Sequence, residues 1–152
     1  MNVLLVEDSI MIRAHMTSVL ANIPGVRVVG HAGSEDEAVD LINAVQPDVI
    51  LMDFSLEIGN GINVLRRVRM AGCTSRVMML SNNMTEHLRS LSIELGAHRY
   101  FDKSRELDKA VEQIKDWLAC PNVATGACGH LVIKPCQDCS ERHANQEHTH
   151  II

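Results

Sequence analysis

Residues 49–53 read Val-Ile-Leu-Met-Asp, four apolar side chains in a row and then a single carboxylate. Strands in a half-exposed sheet alternate apolar and polar residues, whereas an unbroken apolar run fits a strand whose two faces are both covered by helices. Two further runs, Val3–Val6 and Val77–Leu80, are apolar at every position, and Val26–Gly30 with Arg99–Phe101 completes five predicted strands. Helix-period segments separate them. Ile12, Met16 and Val19 share one helical face, and Ser34 with Glu37 makes a capping box ahead of Ala38, Leu41, Ile42 and Val45. Val64, Leu65 and Val68 mark a third helix that stops near Gly72. Leu88, Leu91 and Leu95 mark a fourth that stops at Gly96, and Leu107, Val111, Ile114 and Leu118 a fifth. Five strands in strict alternation with five helices predict an α/β chain, a doubly wound five-stranded parallel sheet.

The alternation ends where Cys120-Pro121 breaks the last helix. Residues 1–119 are therefore one predicted domain, and 120–152 a Cys- and His-rich C-terminal tail whose one apolar patch is Leu131-Val132-Ile133. A chain of 152 residues supports one good core. Hydrophobic residues at 46% against 22% charged indicate a globular protein, and no apolar run is long enough to span a bilayer. The apolar start is cut off by Glu7-Asp8, too soon for the core of a signal peptide, so a cytoplasmic location with reduced thiols is expected. Four of the five cysteines lie beyond residue 119, so disulfides do not hold the first domain together. A net charge of −5 without clustered Lys and Arg argues against direct nucleic-acid binding.

In an open parallel sheet, ligands bind at the carboxyl ends of the strands. Strand one ends in Glu7-Asp8, strand three in Asp53, and strand four in Ser81-Asn82-Asn83, while Lys103 closely follows strand five. Three carboxylates, a hydroxyl and an ammonium are thus predicted on one rim. Two carboxylates about 5 Å apart repel by roughly 3 kcal/mol at an effective dielectric of 20, so such a cluster calls for a cation. Hard oxygen ligands suit Mg²⁺, which keeps waters and leaves room for a phosphate oxygen. Lys103 can pair with Asp53 or with a phosphoryl oxygen, and the Ser81 hydroxyl can donate to another, which is the charge arrangement that phosphoryl transfer needs. Each residue alone reads as a solvated loop charge. Their joint placement, with Asp53 costly to bury unpaired, favours a site.

The acidic pair after strand one, the lone Asp53, Ser81 and the run Tyr100-Phe101-Asp102-Lys103-Ser104 together resemble the response-regulator receiver family over about the first 119 residues. The resemblance implies a flavodoxin-like (βα)5 fold of strand order 2-1-3-4-5. It also implies a phosphohistidine donor, on a sensor histidine kinase or a phosphotransfer protein, with Asp53 as phosphoacceptor. Glu7, Asp8 and Asp53 match that family's metal-binding acids, the Ser55 main-chain carbonyl its backbone ligand, Lys103 its lysine, Ser81 its switch hydroxyl and Tyr100 its switch aromatic. Asn83 and Ser55 flank the acceptor and are expected to position the water that hydrolyses the acyl phosphate. Two departures stand out. Glu57 takes the place of a proline four residues past the acceptor, although Gly61 falls where the family has glycine, and Ser104 replaces the commoner proline after Lys103. Neither removes a chemical group.

The chain is therefore expected to be a stand-alone receiver that accepts and loses a phosphoryl group without being a turnover enzyme. Its output is expected to be a contact made by the fourth helix, fifth strand and fifth helix when Ser81 moves in and Tyr100 follows. The tail has two readings. It is a disordered polar segment, or it binds Zn²⁺ through Cys136 and Cys139 with Cys128 and either His130 or His143. An alternative function is a phosphorylation-independent adaptor of the same fold with a metal-sensitive tail. A flavin carrier is disfavoured because Glu7-Asp8 would repel the flavin phosphate. An aspartyl phosphohydrolase is disfavoured because its paired acids belong after the first strand, whereas Asp53 follows the third.

Overall fold

The computed structural model describes residues 1–82 and 85–119. Asn83 and the tail ligands Cys128, His130, Cys136, Cys139 and His143 lie outside the described residues. The elements in chain order are β1 (Asn2–Val6), α1 (Ile10–Ala21), β2 (Arg27–Ala32), α2 (Glu35–Val45) and β3 (Val49–Asp53), followed by α3 (Gly61–Met70), β4 (Arg76–Ser81), α4 (Glu86–Glu94), β5 (Arg99–Asp102) and α5 (Leu107–Ala119). The strands form one parallel sheet in the order β2-β1-β3-β4-β5. The expected alternation and strand order are both observed.

The central strands explain why unbroken apolar runs were needed. Leu4, Val6, Ile50, Met52, Val77 and Met79 point into one apolar layer, packed by α2 and α3 through Ala38, Ile42, Ile62, Leu65 and Val68. Val3, Leu5, Val49, Leu51, Met78 and Leu80 point into the other, packed by α1 and α5 through Met16, Leu20, Ala110 and Ile114. Each fully buried aliphatic side chain contributes about 1.5–3 kcal/mol, so the two layers rather than the loops hold the sheet.

Helix starts are set by local side-chain acceptors. Ser9, Ser34, Asn60 and Thr85 accept the amides of Ile12, Glu37, Asn63 and Leu88 at the heads of α1, α2, α3 and α4. Gly72 and Gly96, at φ +89° and +100°, let the chain turn after α3 and α4. Strand β2 differs from expectation, running to Ala32 rather than ending at Gly30. Gly30 does not break it: a Cβ there would sit 3.2 Å from Leu41 Cδ2, so the missing side chain lets α2 pack close.

Candidate functional site

β1 and β3 are neighbours in the sheet, so the residues that follow their apolar runs emerge side by side. Ligand oxygens of Glu7, Asp8 and Asp53 all lie within 4.8 Å of one another. Lys103, just beyond β5, reaches across β4 to them. Its Nζ lies 2.8 Å from Asp53 Oδ2 and 2.5 Å from Glu7 Oε2. The side chains of Glu7, Asp53 and Lys103 are each less than a tenth exposed, whereas Asp8 is half-buried and opens the cluster to solvent.

Backbone geometry fixes this cluster. The Ser9 amide donates to Glu7 Oε1 at 3.1 Å, and the Ser55 amide donates to Asp53 Oδ1 at 3.2 Å. Each carboxylate thus offers one oxygen to its own loop and the other to Lys103. The loop after Asp53 returns on itself, with the Gly61 amide donating to the Phe54 carbonyl at 2.8 Å. A Cβ on Gly61 would stand 2.3 Å from the Asp53 carbonyl oxygen, which is why glycine is required there. Without a proline at Glu57, the same loop is held from outside, since the Glu35 amide at the head of α2 donates to the Ile58 carbonyl at 3.1 Å.

The charges respond to this packing. Burial pushes the Glu7 carboxyl above its ordinary value, and the Asp53 charge adds to that, while Lys103 and the Ser9 amide pull the other way. Burial opposes the Lys103 charge, yet its hydrogen bonds to Asp53 and Glu7 outweigh that and hold its pKa above the usual lysine value. Three carboxylates and one ammonium leave two negative charges in the pocket. That matches the charge of one divalent cation, and the all-oxygen donor set suits a hard ion such as Mg²⁺.

Ser81 ends β4 beside β3, buried, and its carbonyl accepts the Lys103 amide at 3.0 Å. Tyr100 lies two residues along the edge strand β5, partly buried against the apolar layer on the α2–α3 side. The sequence placed Glu7, Asp8, Asp53, Ser81 and Lys103 on one rim; Glu7, Asp8, Asp53 and Lys103 meet there, and Ser81 joins them through its main-chain carbonyl. It gave Ser55 a carbonyl role and, with Asn83, a place beside the hydrolytic water, while the structure adds its amide as a partner of Asp53.

Three further features went unread. Lys103 bridges Glu7 as well as Asp53. Ser104 donates to Asp102 Oδ1 through both its amide and its hydroxyl, at 2.9 and 2.6 Å, bonds that a proline could not make. The spacing Asp102-x-Ser104 is the signal for that turn. Arg89 stacks on Tyr100, with its guanidinium carbon 4.2 Å from the ring centroid, a long-range contact for which the sequence holds no local sign.

Comparison with known proteins agrees with this geometry. The family model described as response regulator receiver domain matches residues 3–115. Response regulator UvrY of Escherichia coli strain K12 is 30% identical over 114 residues, covering 75% of this chain and 52% of that protein. A protein-glutamate methylesterase/protein-glutamine glutaminase of Pseudomonas putida is 33% identical over 126 residues, covering 81% of this chain and 34% of that protein. The chain therefore spans about half the length of one relative and a third of the other. Among solved structures, the response regulator domain of Thermotoga maritima CheB superposes with a TM-score of 0.71 at 26% identity, covering 78% of this chain and 96% of that one. The signal receiver domain of the putative response regulator NarL from Mycobacterium tuberculosis gives 0.71 at 25%, with the same coverage.

Proposed function

This chain belongs to the response regulator receiver domain family, and we propose from that membership that it takes a phosphoryl group from a histidine kinase or phosphotransfer protein onto Asp53. The observation that carries the reading is the buried Lys103 ammonium, 2.8 Å from Asp53 and bridging to Glu7, within a cluster of three carboxylates. A lone lysine salt bridge would need one acid. Here two buried acids and a half-exposed third converge, and the excess negative charge is what a cation and a phosphoryl group would use.

An Asp53 carboxylate oxygen attacks the phosphorus of a phosphoimidazole, the P–N bond breaks, and the imidazole leaves with its electron pair and takes up a proton. Asp53 is positioned for this by the Ser55 amide on one oxygen and Lys103 on the other. Glu7, Asp8, Asp53 and the Ser55 main-chain carbonyl would hold a divalent ion, which would supply positive charge to offset that of the transferring group. Lys103 then turns from the carboxylate oxygen to a phosphoryl oxygen. Ser81 donates its hydroxyl to another, and Tyr100 follows it, which alters the surface of α4, β5 and α5.

The output is a protein contact made by this receiver, not direct nucleic-acid binding, and the chemistry is self-phosphorylation and self-hydrolysis instead of substrate turnover. We propose that the protein acts in the cytoplasm. Among the described residues no helix is long and apolar enough to cross a membrane.

The test is intact mass after incubation with Mg²⁺ and either acetyl phosphate or phosphoramidate, beside Asp53→Asn, and then with a phosphorylated kinase. One Mg²⁺-dependent, acid-labile phosphoryl group absent from the variant supports the reading. No adduct from any of the three donors rejects it.

A further inference from the structure

Strand β5 lies at the edge of the sheet, and its Tyr100 is covered from outside by a side chain of α4. The ring packs against the apolar layer, and the Arg89 guanidinium sits over it at 4.2 Å, well inside the range of cation–π attraction. Arg89 is also 3.7 Å from Glu86, one turn earlier on the same helix. Its side chain is about half exposed, so Arg89 is held by Tyr100 and Glu86 without being buried by either.

Arg89 stands in the first turns of α4, its amide donating to the Thr85 carbonyl at 3.0 Å. In chain order its helix is the one that follows Ser81, the residue that the proposed phosphoryl transfer pulls inward. Tyr100 pairs in register with Met79, two residues before Ser81. The two ends of the proposed switch are thus connected through the β4–β5 ladder, and Arg89 adds a contact on Tyr100 from α4.

We propose that Arg89 is a positioning residue that clamps Tyr100 in its resting place and so sets the balance between resting and active receiver. This rests on the phosphoacceptor reading above for its consequence, while the contact of Arg89 with Tyr100 is itself part of the structure. An inward turn of the ring separates it from the guanidinium and forfeits the attraction. A cation over a partly exposed ring biases the resting state by about two- to fivefold.

Tyr100 is the single tyrosine of the chain, so one fluorotyrosine label reports it alone. The fluorine NMR spectrum is recorded for the wild type, Arg89→Met and Arg89→Lys, all without a phosphoryl donor. Arg89→Met keeps the length of the stem and removes the cation, and Arg89→Lys restores a cation. The Met variant is expected to shift the signal, the Lys variant to stay near wild type, and Mg²⁺-dependent adduct formation with acetyl phosphate to rise about two- to fivefold in Arg89→Met. Coincident wild-type and Met signals would overturn the clamp. So would a shifted signal with an unchanged rate of adduct formation, because the contact would then not set the balance. If the wild type takes no phosphoryl group, the phosphoacceptor reading fails, and the donor-free fluorine comparison still decides the clamp. Thermal unfolding of each variant guards against a misfolded sample.

Discussion

Replacing Lys103 by Met keeps the length of the stem and removes the one cation seen bridging Glu7 and Asp53. The carboxylate oxygens of the cluster lie within 4.8 Å of each other. At an effective dielectric of 20 that spacing corresponds to about 3.5 kcal/mol of repulsion per pair of ionised groups. Breaking a buried ion pair by removing one partner costs about 3–5 kcal/mol, so a loss of about 3 kcal/mol at neutral pH is expected for Lys103→Met. Two independent remedies should restore it. Glu7 already titrates above its ordinary value because of burial and the Asp53 charge, and losing Lys103 raises it further. A carboxyl whose folded pKa is raised makes the folded state bind more protons than the unfolded chain, so stability rises as pH falls toward about 5. The gap between variant and wild type should narrow over that range. Millimolar Mg²⁺ at neutral pH should narrow it by the other route, since a ligand that binds only the folded state stabilises it. Urea unfolding at neutral pH, at about pH 5, and at neutral pH with Mg²⁺ measures all three. A gap insensitive to both protons and Mg²⁺ would refute the reasoning, because Lys103 would then act by packing and not by charge.

His98 immediately precedes β5, with its Nδ1 accepting the Val77 amide at 3.2 Å. Burial lowers its pKa to about 4, and Arg69, Arg76 and Arg99 add to that. Since the unfolded chain binds the proton first, stability present above the unfolded value is lost as pH falls from about 6.5 toward 4. The shift corresponds to about 3 kcal/mol, reduced to about 1–2 by solvent at this partly exposed ring. Urea titrations of wild type and His98→Gln over that range should converge at the acid end, and parallel curves would refute the assignment. Gly61→Ala should cost about 1–3 kcal/mol by forcing a Cβ against the Asp53 carbonyl, with a lower adduct rate in the intact-mass assay. An unchanged rate would mean that the loop yields without moving Asp53.

The fold was legible because three strands carry unbroken apolar runs of four residues, as a doubly covered sheet requires, and because helix-period segments separate the runs. The position of the site followed from the same pattern, as the residues after each apolar run must meet at one rim. Apart from the pairing of Lys103 with Asp53, contacts made across distant segments escaped the sequence. Lys103 reaching Glu7 and Arg89 reaching Tyr100 depend on strand order and on helix placement, neither of which leaves a local mark. The end of β2 was misjudged for a different reason. Gly30 reads as a breaker, and its tolerance depends on Leu41 filling the space from α2.

The packing of the helices is uneven in a way that bears on signalling. α3 buries five residues and α2 three, whereas α4 buries only Ser92, whose hydroxyl donates to the Leu88 carbonyl of its own helix at 2.7 Å. Its apolar residues Leu91 and Leu95 are only partly covered, and Ile93 is exposed. Few buried contacts mean a low free energy for local displacement. The helix that follows Ser81 is therefore the one that can move at least cost, and it carries Arg89 onto Tyr100. A tightly packed α4 would hold Tyr100 whatever happened at Asp53. A loosely packed one without Arg89 would leave the ring without a preferred resting place. On the proposed reading, weak apolar cover with one directional cation contact would leave two states close enough in energy for a single phosphoryl group to choose between them.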